Sequence, residues 1–229
     1  MPEPETFWGY EDLALFIGAA VPCLFLGAVF VRALHMSSRG EEVLLLQVLM
    51  YALMLAVLYA LISIRHRRPF WRSLSWSRRV RFPLTWIVGG LLLALATSVL
   101  GAAVKAPQVP DQIHALITGR GSLIVVLVFV VALGPIFEEL VFRGFLLPLL
   151  VRTFGPALGI LLTALPFALL HGAQNKWAWQ QITLIGIAGA AFGYAKFRTG
   201  STAASTLLHS GFNLMGALAY LYEWERGAI

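Results

Sequence analysis

Residues 123–150 read LIVVLVFVVALGPIFEELVFRGFLLPLL, and this stretch decides the fold. A helix needs about 20 consecutive apolar residues to cross the hydrocarbon core of a bilayer. This run is longer, and its only ionisable side chains are Glu138, Glu139 and Arg143. Inside lipid every backbone N–H and C=O must be satisfied within its own segment, so such a run has to be helical. Gly134-Pro135 removes one backbone donor, and the helix is expected to kink or restart there.

Reading outward, further apolar runs occur at Leu13–Leu34, Val43–Ile64, Pro83–Val104, Pro156–His171, Gln180–Phe197 and Ala203–Leu221. Periodicity and length predict helices in each. The fifth run in chain order, 156–171, is short and ends at His171-Gly172, so it is expected to cross only in part. The chain of 229 residues is 59% hydrophobic and 12% charged, with a mean hydropathy of +0.80; soluble domains carry about 25% charged residues. The expected fold class is all-α: a polytopic membrane helical bundle of about seven hydrophobic helices. It forms a single integral membrane domain over residues 1–229, without repeats or a second domain. Loop 105–122, with its two prolines, reads as an interfacial loop with a short helix after Asp111.

The net charge of +6 comes mainly from seven arginines between Arg65 and Arg81, interleaved with Phe70, Trp71, Trp76 and Phe82. Basic and aromatic residues beside a span suit lipid headgroups and the interfacial belt. Membrane lipids are therefore the expected partner and nucleic acid is not. Counted by alternate sides with Arg143 set aside, ten basic residues share the N-terminal side: the Arg65–Arg81 cluster, Arg152, Lys196 and Arg198. Six lie opposite: Arg32, Arg39, Lys105, Arg120, Lys176 and Arg226. The excess favours a cytoplasmic N-terminus. The acidic opening, MPEPETFWGYED, lacks the basic region of a cleaved signal, so the first run is expected to be a retained span. Cys23 is the single cysteine, which excludes an intrachain disulfide and a cysteine zinc site.

Ionisable groups inside spans are costly and by default mark function. Glu139 and Arg143 stand four apart with the glutamate first, the favourable order for a helical ion pair. Glu138 is turned about 100° away from Glu139, so it faces another surface and is left free for chemistry; a wholly structural network of the three is the alternative. Phe167 precedes His171 by four residues, and His171 taken alone reads as an interfacial or satisfied polar group. His209 and Asn213, also four apart, share one helix face, where packing hydrogen bonds between spans are the plain explanation. Together the three sites supply the parts for amide hydrolysis. Glu138 would activate water as a general base, with His171 helping to hold it. His209 and Asn213 would donate to the tetrahedral oxyanion. Glu138, His171 and His209 are also a possible His₂Glu zinc set, although no HExxH helix is present.

At these residues the sequence resembles the CPBP family, the CAAX-processing and bacteriocin-processing intramembrane proteases also called the Abi family. Glu138, Glu139 and Arg143 match its E-E-x-x-x-R motif, Phe167 and His171 its F-x-x-x-H motif, and His209 and Asn213 its H-x-x-x-N motif, in the family's order. The resemblance implies a protease core over residues 123–221. Catalytic residues would be Glu138, His171, His209 and Asn213, supported by Glu139, Arg143 and Phe167. It further implies a glutamate-dependent endopeptidase without a cofactor, zinc being the alternative, that acts on a membrane-associated or lipidated peptide or protein tail. The small size suggests a prokaryotic member in the inner membrane and argues against CAAX cleavage itself. Competing readings are a non-catalytic scaffold or immunity protein and a proton-coupled carrier. The carrier reading lacks the inverted repeat such proteins often show.

Overall fold

The computed structural model describes residues 6–36, 38–76, 80–107, 116–117 and 119–226. Among these the chain is helical, and the helices follow the apolar runs. Helix α1 is Tyr10–Ala33, α2 is Arg39–Arg65, α3 is the short Phe70–Ser73 and α4 is Pro83–Ala103. A continuous helical stretch, Arg120–Leu170, follows. Gly155, at φ 78° and ψ 170°, divides it into α5 (residues 120–154) and α6 (residues 156–170). Helices α7, Trp179–Thr199, and α8, Thr202–Glu225, complete the bundle. The short helix expected after Asp111 falls outside the described residues.

The helix ends carry recognisable local signals. Asp12 accepts the Gly9 N–H at the start of α1, Ser38 caps α2, Pro83 occupies the first turn of α4, and Ser201 caps α8. Gly200, at φ 66°, ends α7 in the left-handed conformation that glycine adopts without steric cost. The disturbance expected at Gly134-Pro135 takes the form of a π-helical turn, Phe129–Leu133, just ahead of it, and a second follows at Leu140–Leu146. The stretch Tyr10–Ala33, the whole of α2, α4, and Arg120–Leu170 are each long and apolar enough to cross a membrane. Helix α6 alone is about 22 Å long, short of the roughly 30 Å hydrocarbon thickness.

Side chains divide by what they face. Val21, Phe25, Leu84, Leu92 and Ile124 stand well exposed on the bundle's outside, which suits lipid and would be untenable in water. Between helices the contact is made by small residues. A Cβ on Gly90 of α4 would collide with the Leu208 carbonyl, and one on Gly211 of α8 with that of Ile87. The two backbones therefore touch directly, as small-residue packing in lipid allows. Gly189 and Gly193 of α7 likewise admit Phe167 and Ile160 of α6.

One end of the bundle gathers the N-terminal segment and every second connection. Trp8 donates its indole N–H to the Phe145 carbonyl at 3.0 Å, and Arg152 donates to the carbonyls of Thr6 and Trp8. Asp12 meets Arg65 at 3.2 Å and His66 at 2.9 Å. Thr202 is tied through its hydroxyl to the Leu74 carbonyl and through its N–H to that of Ser75. Lys196 shares a small cleft with Leu147, Pro148 and Val151 at the same end. Helix α6 therefore runs from this end to the other, and Arg152 and Lys196 lie on the N-terminal side that alternate counting assigns them.

Candidate active site

The direct contact between α4 and α8 sets the geometry of the site. Gly211 presses α8 against α4, and residues two positions to either side of it point about 200° away. Those residues are His209 and Asn213, which thus face α5 instead. Helix α5 brings Glu138 and Glu139, α6 ends in His171, and α2 closes the remaining side. Between them lies a cavity of about 950 Å³ lined by Glu138, His171, His209 and Asn213 together with Tyr51 and Gln47. It reaches toward the end opposite the N-terminus, where Arg39, Leu116 and Asn175 line it.

The adjacent glutamates meet opposite surroundings. Glu139 is fully buried and saturated: Oε1 accepts from Arg143 Nη1 at 2.8 Å and from His209 Nδ1 at 3.0 Å, and Oε2 accepts from the Ser205 hydroxyl. Arg143, also fully buried, donates a second bond to the Gly189 carbonyl at 2.7 Å and lies 4.5 Å above the Phe167 ring. Phe167 thus provides an aromatic face for the guanidinium rather than a wall of the cavity, a cation–π contact strengthened by desolvation. Glu138 keeps 16% of its side chain exposed. Its Oε1 accepts from the Tyr51 hydroxyl at 2.8 Å, and its Oε2 lies 3.8 Å from His209 Nε2.

Hydrogen bonds also fix which ring nitrogens are available. His171 Nδ1 lies 2.8 Å from the Phe167 carbonyl, an acceptor, so that nitrogen carries the proton and Nε2 is left as an acceptor for the cavity. His209 Nδ1 donates to Glu139 in the same way, which turns Nε2 toward Glu138. Asn213 spends one amide N–H on the Val130 carbonyl at 2.8 Å. That carbonyl has lost its partner for a covalent reason. In the π-turn Gly134 donates to Phe129, so the N–H owed to Val130 is that of residue 135, a proline. Asn213 replaces it and keeps one N–H for the cavity.

Of the seven residues that the sequence motifs single out, Glu138, Glu139, Arg143, Phe167, His171 and His209 form one connected cluster, and Asn213 lines the same cavity beside them. Tyr51, Gln47 and Ser205 were not found from sequence, since a tyrosine or serine within a membrane helix has no periodicity that ties it to a site far along the chain. The candidate zinc ligands Glu138, His171 and His209 line the same cavity. Among the described residues, however, no three His, Cys, Asp or Glu side chains are grouped closely enough to hold a metal ion.

Residues 120–215 match the family model described as Rce1-like: Type II CAAX prenyl endopeptidase Rce1-like. The matched segment runs from the start of α5 into α8 and contains Glu138, Glu139, Arg143, Phe167, His171, His209 and Asn213. No curated protein and no solved structure matches the chain.

Proposed function

We propose that this integral membrane protein, whose residues 120–215 match the Rce1-like type II CAAX prenyl endopeptidase model, is an intramembrane peptide hydrolase of the CPBP kind with Glu138 as the group that activates water. The observation that carries the reading is the division of labour between neighbouring carboxylates. Glu139 is sealed by Arg143, Ser205 and His209, while Glu138 opens on the cavity with Oε2 hydrogen-bonded by no donor among the described residues and with His209 Nε2 3.8 Å away.

In this mechanism a water lies between Glu138 Oε2 and His171 Nε2. Glu138 takes its proton as the oxygen bonds to the scissile carbonyl carbon. The resulting oxyanion is met by the remaining amide N–H of Asn213 and by His209 Nε2. Since Nδ1 already gives its hydrogen to Glu139, His209 acts as an oxyanion donor from Nε2 with hydrogen on both ring nitrogens. Oxyanion donors of this kind are each worth about 3–4 kcal/mol of barrier. When the C–N bond breaks, Glu138 passes its proton to the leaving amine. The Arg143–Glu139 pair holds His209, and the Val130 carbonyl holds Asn213, before the substrate arrives.

The substrate we propose is a membrane-associated or lipidated peptide or protein tail, entering a cavity with more apolar than polar lining. The host is a prokaryotic inner membrane, with a cytoplasmic N-terminus. Zinc held by Glu138, His171 and His209 is the second reading. Both histidines offer Nε2 with Nδ1 engaged, as metal-binding histidines do, but the three are not drawn together for it, and no step here uses a metal. The isosteric Glu138→Gln variant separates binding from chemistry. It is expected to retain tail peptides, seen by photo-crosslinking, while releasing no product; product release by Glu138→Gln would contradict the assignment.

A further inference from the structure

Helix α2 lies outside the segment that matches the family model, which begins at residue 120, yet it reaches the proposed reacting carboxylate directly. The Tyr51 hydroxyl donates to Glu138 Oε1 at 2.8 Å. The ring is clamped against two aromatic residues of α5, stacked on Phe137 at 3.9 Å between centroids and 16° between planes, and on Phe129 at 5.5 Å and 25°. One turn earlier on α2, Gln47 lines the same cavity, as do Val43 and Leu44, and Tyr51 is where α2 bonds the site.

We propose that Tyr51 is a positioning residue for Glu138. This rests on the reading of Glu138 as the carboxylate that activates water. A carboxylate on a flexible side chain can present either oxygen and rotate its plane. Tyr51 removes that freedom by occupying Oε1, which leaves Oε2 as the oxygen directed to His209 Nε2 and to the cavity. The hydroxyl can do this because its ring is held in register by Phe137, the residue immediately before Glu138. The base is thereby aimed by a helix that supplies none of the reacting atoms.

Tyr51→Phe keeps the stacked ring and deletes only the hydroxyl. Two readouts on the full-length purified protein test it. The first needs no turnover: the rate at which a hydrophobic carbodiimide modifies Glu138, followed by mass spectrometry. It is expected to rise about tenfold in Tyr51→Phe, the factor set by one hydrogen bond to a charged acceptor. The second is steady-state cleavage, where kcat is expected to fall about tenfold with KM changed less than twofold and the melting temperature unchanged. A residue that merely packs would leave the labelling rate and the split between kcat and KM as they are. Unchanged labelling overturns the proposal whatever happens to turnover, and raised labelling with wild-type kcat overturns it as well. Absence of cleavage in wild-type protein counts against the protease reading, whereas the labelling comparison still decides whether Tyr51 orients Glu138.

Discussion

A single position along the helix separates Glu138 from Glu139, and with it about 100° of rotation; that rotation places one carboxylate in a closed polar knot and the other on a cavity. The knot is structural in its consequences. Arg143→Met would leave Glu139 buried without its cation, and breaking a buried pair from one side costs about 3–5 kcal/mol. The expected outcome is a clear loss of thermal stability in detergent, with little folded protein recovered. Glu138→Ala, which empties a partly exposed position, is instead expected to keep the wild-type melting temperature. The sequence carried this contrast, because the i,i+4 order of Glu139 and Arg143 and the offset of Glu138 follow from helix geometry alone. It did not carry Tyr51 or Ser205. Their roles depend on which helices become neighbours, and a hydroxyl in an apolar helix looks the same whether it bonds its own backbone or a distant carboxylate.

Between helices, two backbone features hold the site's register. Gly90 and Gly211 allow α4 and α8 to touch, so Gly211→Ala forces the helices apart; overpacking of this kind costs about 1–3 kcal/mol and displaces His209 and Asn213 together. Lower melting temperature and lower kcat are expected in the same variant. Pro135, the π-turn and Asn213 form the second feature. Asn213→Ala strands the Val130 carbonyl, at a cost of about 0.6–1.7 kcal/mol for a hydrogen bond between membrane helices. In a Pro135→Ala background residue 135 regains an N–H for that carbonyl, so the penalty for Asn213→Ala is expected to shrink. Additive penalties in the four-variant cycle would contradict the account of the orphaned carbonyl. The apolar runs were legible in the sequence because spanning helices must be long and apolar. The π-turns were not, since the same residues fit α and π windings and only the packing around Pro135 selects between them.

Across the whole molecule, the outward apolar surface and the alternation of helix ends describe a protein that lives in a bilayer. Arg67, Arg152 and Arg198 belong to the N-terminal end, and Arg39 and Lys176 to the other. In a Cys23→Ala background, single cysteines at the first three positions are expected to react with an impermeant maleimide only from the cytoplasmic face, and those at the other two only from outside. Mixed reactivity within either set would contradict the arrangement of helix ends. Reversal of both sets together would contradict only the orientation read from the basic residues. That orientation rests on the excess of basic residues at one end, which composition made legible, whereas the tail proposed as substrate follows from no pattern of the chain. The most direct measurement is turnover of a membrane-tail and lipidated-peptide library by the purified protein, with and without a strong chelator, beside Glu138→Ala. Cleavage that survives the chelator and disappears in Glu138→Ala is the expected result, and product formed by Glu138→Ala, or cleavage lost to the chelator and restored by zinc, would contradict a glutamate-activated water.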